Sequence, residues 1–292
     1  MSTAALWTAG ARPRTLPAAI APVLVGTGAA AAVSSAVLPR ALLALVVAVA
    51  LQVGVNYAND YSDGVRGTDD DRIGPLRLVG SGTASPAAVR AAAWMCFAIA
   101  GLAGLVLVLI TGAWWLLGVG ALAIAAAWFY TGGSRPYGYR GFGELSVFVF
   151  FGLVAVVGTT YVQVERVTPA SVVCGIAIGS LACAILVANN LRDMRGDARS
   201  GKRTVAIFLG SRRTRILYLL LVTTAYALVI ALAVAGRAWA GLALLSAPLA
   251  VRAAAPVAGK ARGADLVPVL RDTAMTELVF AVLLAAGLAI SG

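Results

Sequence analysis

The sequence predicts an all-α polytopic membrane protein with nine transmembrane helices, the N-terminus cytoplasmic and the C-terminus external. Three observations carry this expectation. The 292-residue chain is 61% hydrophobic and only 12% charged, far more apolar than a soluble domain tolerates. It divides into nine apolar runs, each close to the roughly twenty residues that cross a bilayer. Its basic residues fall unequally on alternate connections, the pattern that sets orientation in a membrane.

The first run, 16–37, follows Arg12 and Arg14 and has the outline of a signal peptide. Pro17 and Pro22 inside it, and eight more runs behind it, favour a retained first helix. Runs at 40–60 and 89–110 follow. The uncharged stretch from Ala91 to Ser134 is too long for one crossing, so "TGA" at 111–113 marks an outer turn and 113–131 a fourth span. The rest are 144–163, 169–191, 214–235, 238–257 and 273–291. Only fourteen residues separate Arg237 from Arg252, so Arg252 is expected to snorkel to the interface. With the N-terminus inside, inner segments carry twenty Lys and Arg residues; outer ones carry three, Arg40, Arg166 and Arg237.

The net charge of +11 therefore follows topology; no recognisable fold or basic helix points to nucleic acid. Cys96, Cys174 and Cys183 all lie inside apolar runs and read as small buried hydrophobes. The chain has no histidine, which removes histidine acid–base chemistry and most zinc or haem ligation. Any metal must be held by oxygen, which favours magnesium, calcium or manganese.

The acids cluster. "NYANDYSDGVRGTDDDR" runs from Asn56 to Arg72, and within it Asn56, Asp60 and Asp63 are spaced i, i+4, i+7, one face of a continuing helix, with Asn59 beside them. "NNLRDMRGDARSGKRT" runs from Asn189 to Thr204 and places Asn189, Asp193 and Asp197 at i, i+4, i+8. The two stripes end the second and sixth spans, which run in the same direction, so both face the cytoplasm. Carboxylates and amide oxygens suit a hard divalent cation that also accepts phosphate oxygens. Arg66 and Arg72 accompany the first stripe; Arg192, Arg199, Lys202 and Arg203 accompany the second, and such cations hold phosphate. The plainer readings are a solvated acidic loop for the acids and ordinary inside-positive topology for the bases. The inner end of the fourth span adds "FYTGGSRPYGYRGFGE", Phe129 to Glu144. Tyr130, Tyr137 and Tyr139 could face a carbocation with their π-faces, or form an interfacial aromatic belt.

These pieces, with "RPRTLPAAIAPVLVGTG" near the start and "YTGGSRPYGYRGFGELSVFVFFG" in the middle, resemble the UbiA superfamily of intramembrane aromatic prenyltransferases, most of all its menaquinone-pathway MenA branch, the 1,4-dihydroxy-2-naphthoate polyprenyltransferases. The likeness runs through most of the chain in order. It implies a single domain over 1–292, with nine helices enclosing a central cavity and two pseudo-repeated motifs, 56–72 and 189–204, at its cytoplasmic mouth. It implies that Asn56, Asp60, Asp63, Asn189, Asp193 and Asp197 bind Mg²⁺ (or Mn²⁺) and through it a polyprenyl diphosphate. Arg66, Lys202 and Arg203 would hold diphosphate oxygens; Arg14, Arg72 or Arg77 would pair with the carboxylate of 1,4-dihydroxy-2-naphthoate; Tyr130, Tyr137 or Tyr139 would stabilise the allylic cation. Glu144 would order the mouth or move a proton. The products would be demethylmenaquinone, diphosphate and carbon dioxide, made in a bacterial cell membrane. One departure stands out: the superfamily pattern N-D-x-x-D-x-x-x-D puts a third acid at position 67, where this chain has Gly67, with Asp69 two residues on.

Other readings stay open. A different aromatic acceptor, 4-hydroxybenzoate or homogentisate, would need the same diphosphate machinery. Asp60 to Gly64 match the D-x-x-D-G start of CDP-alcohol phosphotransferases, but that pattern then wants Ala-Arg where Gly67 and Thr68 stand. A secondary transporter of the inverted-repeat kind would not place two parallel motifs at one membrane face.

Overall fold

The computed structural model describes residues 2–33, 36–67 and 76–292. Arg72, Asp69, Asp70 and Asp71 lie outside the described residues. The described secondary structure is helical throughout. Ten helical stretches follow one another: α1 Thr3–Ala11, α2 Pro17–Ala31, α3 Leu38–Val65, α4 Pro86–Thr111, α5 Leu116–Phe129, α6 Gly143–Val164, α7 Pro169–Arg199, α8 Val205–Val234, α9 Ala238–Ala258 and α10 Gly263–Ile290. Among them, seven are long and apolar enough to cross a membrane; α2 and α5 are apolar but shorter. The fifteen residues of α2 span about 22 Å, short of a hydrocarbon core of about 30 Å.

Local chemistry sets the boundaries. The Ser85 side chain caps α4, whose first residue is Pro86; Thr168 and Ser171 form a reciprocal capping box at α7. α4 ends at Gly112, whose φ of 67° suits a residue without Cβ, so the chain turns at 111–113 as expected. α1 was not expected from the sequence. It packs beside α3, where the Tyr57 hydroxyl donates to the Trp7 carbonyl at 2.9 Å. α3 and α7 continue to Val65 and Arg199, past the ends of the apolar runs, so Asn56, Asp60 and Asp63, and Asn189, Asp193 and Asp197, all sit on helix.

α7 is the central element: 72% of its apolar window is buried, against half or less for every other candidate span. Small residues let α6 lie against it, since a Cβ on Gly152 would come 2.6 Å from both the Gly175 carbonyl and the Gly179 Cα. The contact falls in a π-helical segment, Phe148–Val154. Arg252 does not snorkel alone. Its Nε lies 3.2 Å from Asp272 Oδ2 on the neighbouring α10, which neutralises both groups where the apolar run is too short for a lone charge. At the other face Arg40 pairs with Glu165 at 3.0 Å.

Candidate active site

The end of α3 separates its polar residues by function. A helix turns about 100° per residue, so Asp60 stands about 60° round from Asp63, and Asn59 only about 40°. Asp60 is fully buried. Its two carboxylate oxygens accept the backbone amides of Leu78 (2.8 Å) and Val79 (3.0 Å), which pins the 76–84 turn to α3. Asn56 sits about 10 Å deeper than Asp63. Its amide nitrogen donates to the Ala11 carbonyl and Thr15 Oγ1, both at 2.9 Å, and its Oδ1 accepts from Gln52 at 3.3 Å. Of the expected stripe Asn56–Asp60–Asp63, Asn56 and Asp60 thus contact neighbouring chain, while Asn59 lies closest to Asp63 in angle and height together.

Asp63 is where the two motifs meet. It is 2% exposed. The Tyr139 hydroxyl donates to its Oδ1, Arg77 lies 3.7 Å from its Oδ2, and the Lys202 ammonium lies 3.8 Å from that same oxygen. Lys202 is also 3.9 Å from Asp197 Oδ1. A cation from one chain segment thus stands between one carboxylate of each motif. Further along α7, Arg192 donates through Nε and Nη2 to both oxygens of Asp193 at 2.6 Å, and through Nη2 to Asn189 Oδ1 at 2.8 Å.

The 130–141 connection closes over this cluster. Asn59 Oδ1 accepts from Thr131 Oγ1 at 2.8 Å. Arg66 donates to the Thr131 and Gly133 carbonyls, so its guanidinium ties the loop to α3. The Tyr139 ring carries Lys202 Nζ at 4.5 Å and Arg66 Cζ at 5.6 Å from its centroid; its π-face is engaged by these cations. Tyr137 donates toward the Ala126 carbonyl and meets Ser146 Oγ, both at 2.8 Å, which makes it a brace for the loop. Tyr130 packs edge-on to Tyr137 at 5.6 Å. Burial pushes the Tyr130 phenol up, and Glu144, Tyr137, Asp63 and Asp197 add to the shift. That phenol is neutral and lies within electrostatic reach of both motifs. Burial also raises Tyr137, partly offset by its bond to Ser146.

The remaining expected residues are dispersed. Glu144 accepts from Asn190 at 2.9 Å. Arg203 donates its backbone amide to the Tyr139 carbonyl and, with Arg135 and Arg140, lines a cleft of about 430 Å³ beside Tyr139. Arg14 is exposed in the turn before α2, and Arg72 lies outside the described residues. Thr131, Asn190 and the Asn56 partners Gln52 and Thr15 carry polar contacts that sequence reading missed. Asn190, Thr131 and Thr15 lie inside the quoted motifs but are uncharged and off the spacing of the acids, and Gln52 lies in an apolar run.

Among the described residues no three carboxylates, cysteines or histidines gather in one metal-binding group. Two carboxylates around a cation nevertheless fit magnesium, which is commonly held by one or two carboxylates and completes its shell with water and substrate phosphate. The Lys202 ammonium between Asp63 and Asp197 shows that the position is built for positive charge.

The UbiA prenyltransferase family profile matches residues 19–265. A Mycobacterium tuberculosis protein described as 1,4-dihydroxy-2-naphthoate octaprenyltransferase is 57% identical over 99% of this chain and 98% of its own length. An Escherichia coli protein of the same description is 38% identical over 98% of this chain and 95% of its own. In fold, the chain is similar to a UbiA homologue from Aeropyrum pernix K1, with a TM-score of 0.71 at 17% identity over 94% of this chain and 97% of that one. It is also similar to one from Archaeoglobus fulgidus bound to GPP and Mg²⁺, with a TM-score of 0.63 at 14% identity over 96% and 99%.

Proposed function

The chain belongs to the UbiA prenyltransferase family, and from that premise we propose that it transfers a polyprenyl group from polyprenyl diphosphate to 1,4-dihydroxy-2-naphthoate, releasing diphosphate and carbon dioxide and giving demethylmenaquinol, the hydroquinone form of demethylmenaquinone. The observation that carries the reading is the meeting of Asp63 and Asp197 at Lys202. One carboxylate from each acidic motif converges on positive charge, the arrangement a diphosphate leaving group requires.

Asp63 and Asp197, with Asn59, Asn189 and Asp193 on the same helix ends, would hold Mg²⁺. Bound there, the metal supplies Lewis-acid stabilisation of charge on the departing diphosphate. Lys202 and Arg77 are already within 4 Å of Asp63 and would turn to hold the diphosphate oxygens. The allylic C–O bond breaks with its electron pair going to diphosphate. The naphthoate ring carbon that bears the carboxylate forms the new C–C bond. The bond to the carboxylate then breaks, its pair returns to the ring, and carbon dioxide leaves, so no base is needed for that step. Tyr130, neutral and half-buried beside Tyr137, would offer a π-face to the cation. Its closure with the 130–141 loop keeps water away.

The nine apolar helical segments α2 to α10 would all span a bacterial cell membrane as one domain, with N-terminus and mouth cytoplasmic and C-terminus external. The inner and outer basic residues, twenty against three, support that orientation. Purified protein is expected to turn over 1,4-dihydroxy-2-naphthoate with a polyprenyl diphosphate, in preference to 4-hydroxybenzoate and homogentisate, and to lose activity in excess chelator and regain it with Mg²⁺. Undiminished turnover in chelator would refute the metal site. Preference for another acceptor would refute the substrate assignment.

A further inference from the structure

Glu277 is the anomaly of the bundle interior. It lies on α10, is completely buried, and neither carboxylate oxygen has a hydrogen-bond partner. An unpaired polar group in a membrane interior is costly and marks a functional position, because water is not there to satisfy it. Asp272, five residues earlier on this helix, is held by Arg252 and Arg271, so the chain can pair an intramembrane carboxylate and does not pair this one.

Its position is fixed by the packing of α10 on α2. A Cβ on Gly28 would meet Ala285, and one on Gly292 would meet Ala32, so the two helices run parallel. Glu277 is eight residues, about 12 Å, to the inner side of Ala285. That level is about one turn inside the start of α2 at Pro17. On α7, Cys183 lies within electrostatic reach of both Glu277 and Glu144, and its thiol donates to the Glu144 carbonyl at 3.1 Å. Glu144 in turn influences Tyr130, as do Asp63 and Asp197. α7, which carries Cys183 and the second acidic motif, packs directly against α10.

We infer that Glu277 is a binding residue for the aromatic acceptor, accepting a hydrogen bond from its ring hydroxyl. This rests on the prenyl-transfer reading above. The diphosphate is held at the mouth, and an isoprenoid tail has no polar atom. The acceptor alone brings a hydrogen-bond donor into the interior. In 1,4-dihydroxy-2-naphthoate the 1-hydroxyl is engaged by the adjacent carboxylate, so the 4-hydroxyl is the donor left for Glu277.

The test compares the wild-type protein with Glu277→Gln and Glu277→Met in lipid nanodiscs. Equilibrium binding of 1,4-dihydroxy-2-naphthoate, of 1-hydroxy-2-naphthoate and of a polyprenyl diphosphate is measured for each. The wild type is expected to bind the monohydroxy compound about tenfold more weakly. Glu277→Met loses about tenfold for the dihydroxy compound and no longer distinguishes the two, while Glu277→Gln, whose amide oxygen still accepts, stays near wild type. Affinity for the diphosphate is unchanged throughout. Wild-type acceptor affinity in Glu277→Met, equal losses for both substrates, or continued discrimination by that variant would each overturn the inference. Should Glu277→Met not fold, indifference of the wild type to the 4-hydroxyl overturns it equally. Absence of wild-type turnover with dihydroxynaphthoate overturns the underlying reading instead, and shows before any variant is compared.

Discussion

Removing the Asp60 carboxylate is expected to loosen the protein more than it blocks the chemistry. Asp60 has no exposed surface, and it accepts two backbone amides, from Leu78 at 2.8 Å and Val79 at 3.0 Å. Hydrogen bonds to a charged acceptor contribute about 1.5–3 kcal/mol each, and here their loss leaves buried amides unpaired. Leu78 itself is 1% exposed, so water cannot replace the lost partner. Asp60→Ala should therefore destabilise the fold by about 3–6 kcal/mol. The assay is equilibrium unfolding in mixed detergent micelles, with limited proteolysis at the 76–84 turn as a local probe. Asp63→Asn is the control. It keeps the shape of a side chain that faces Lys202, Arg77 and Tyr139, and should lose about a hundredfold or more in turnover with a smaller change in unfolding. At a temperature where both variants are folded, Asp60→Ala retains the higher rate. A stability of Asp60→Ala within about 0.5 kcal/mol of wild type, the range of neutral surface changes, would refute the clamp.

Three further outcomes are expected. Lys202→Met removes the cation shared by Asp63 and Asp197, and should raise KM for the polyprenyl diphosphate about tenfold or more while KM for the acceptor stays put; steady-state kinetics with each substrate varied decides it. Burial raises the Tyr130 and Tyr137 phenols above their ordinary value of 10. The folded state thus holds these protons more tightly than the unfolded one, so their contribution is fully present below pH 10 and falls as pH rises beyond it. Thermal midpoints of wild type and Tyr137→Phe between pH 9 and 11, about the unperturbed phenol range, should converge; parallel curves would remove Tyr137 from the account. Arg252→Leu leaves the buried Asp272 with Arg271 alone, and should destabilise the protein more than Arg252→Leu combined with Asp272→Asn; the unfolding midpoints of the two variants decide the order.

The sequence by itself determined the helical membrane class. Apolar runs must bury backbone polar groups internally, and only helices do so within each run. It also located both acidic motifs at helix ends, because charges cannot sit deeper in an apolar run without partners. It did not determine which acid does what. Asn56, Asp60 and Asp63 share a spacing, and spacing fixes angle along one helix but says nothing of what packs against each angle. Asp60 meets the Leu78 and Val79 amides and Asn56 meets the α1–α2 junction, because the 76–84 turn and α1 fold back there. α1 itself carries no signal that nine residues could give in isolation. Arg66, expected at the diphosphate, also donates to the Thr131 and Gly133 carbonyls, which no spacing in the sequence announces. Lys202 reads in the sequence as one of several inside-positive residues, and becomes the meeting point of two motifs only when α3 and α7 are brought side by side. Glu277 is a single acid in an apolar run until the bundle closes round it. The division follows from range: backbone satisfaction and charge placement are local and legible along the chain, whereas pairing between distant side chains is decided by helix packing, which composition and periodicity do not encode.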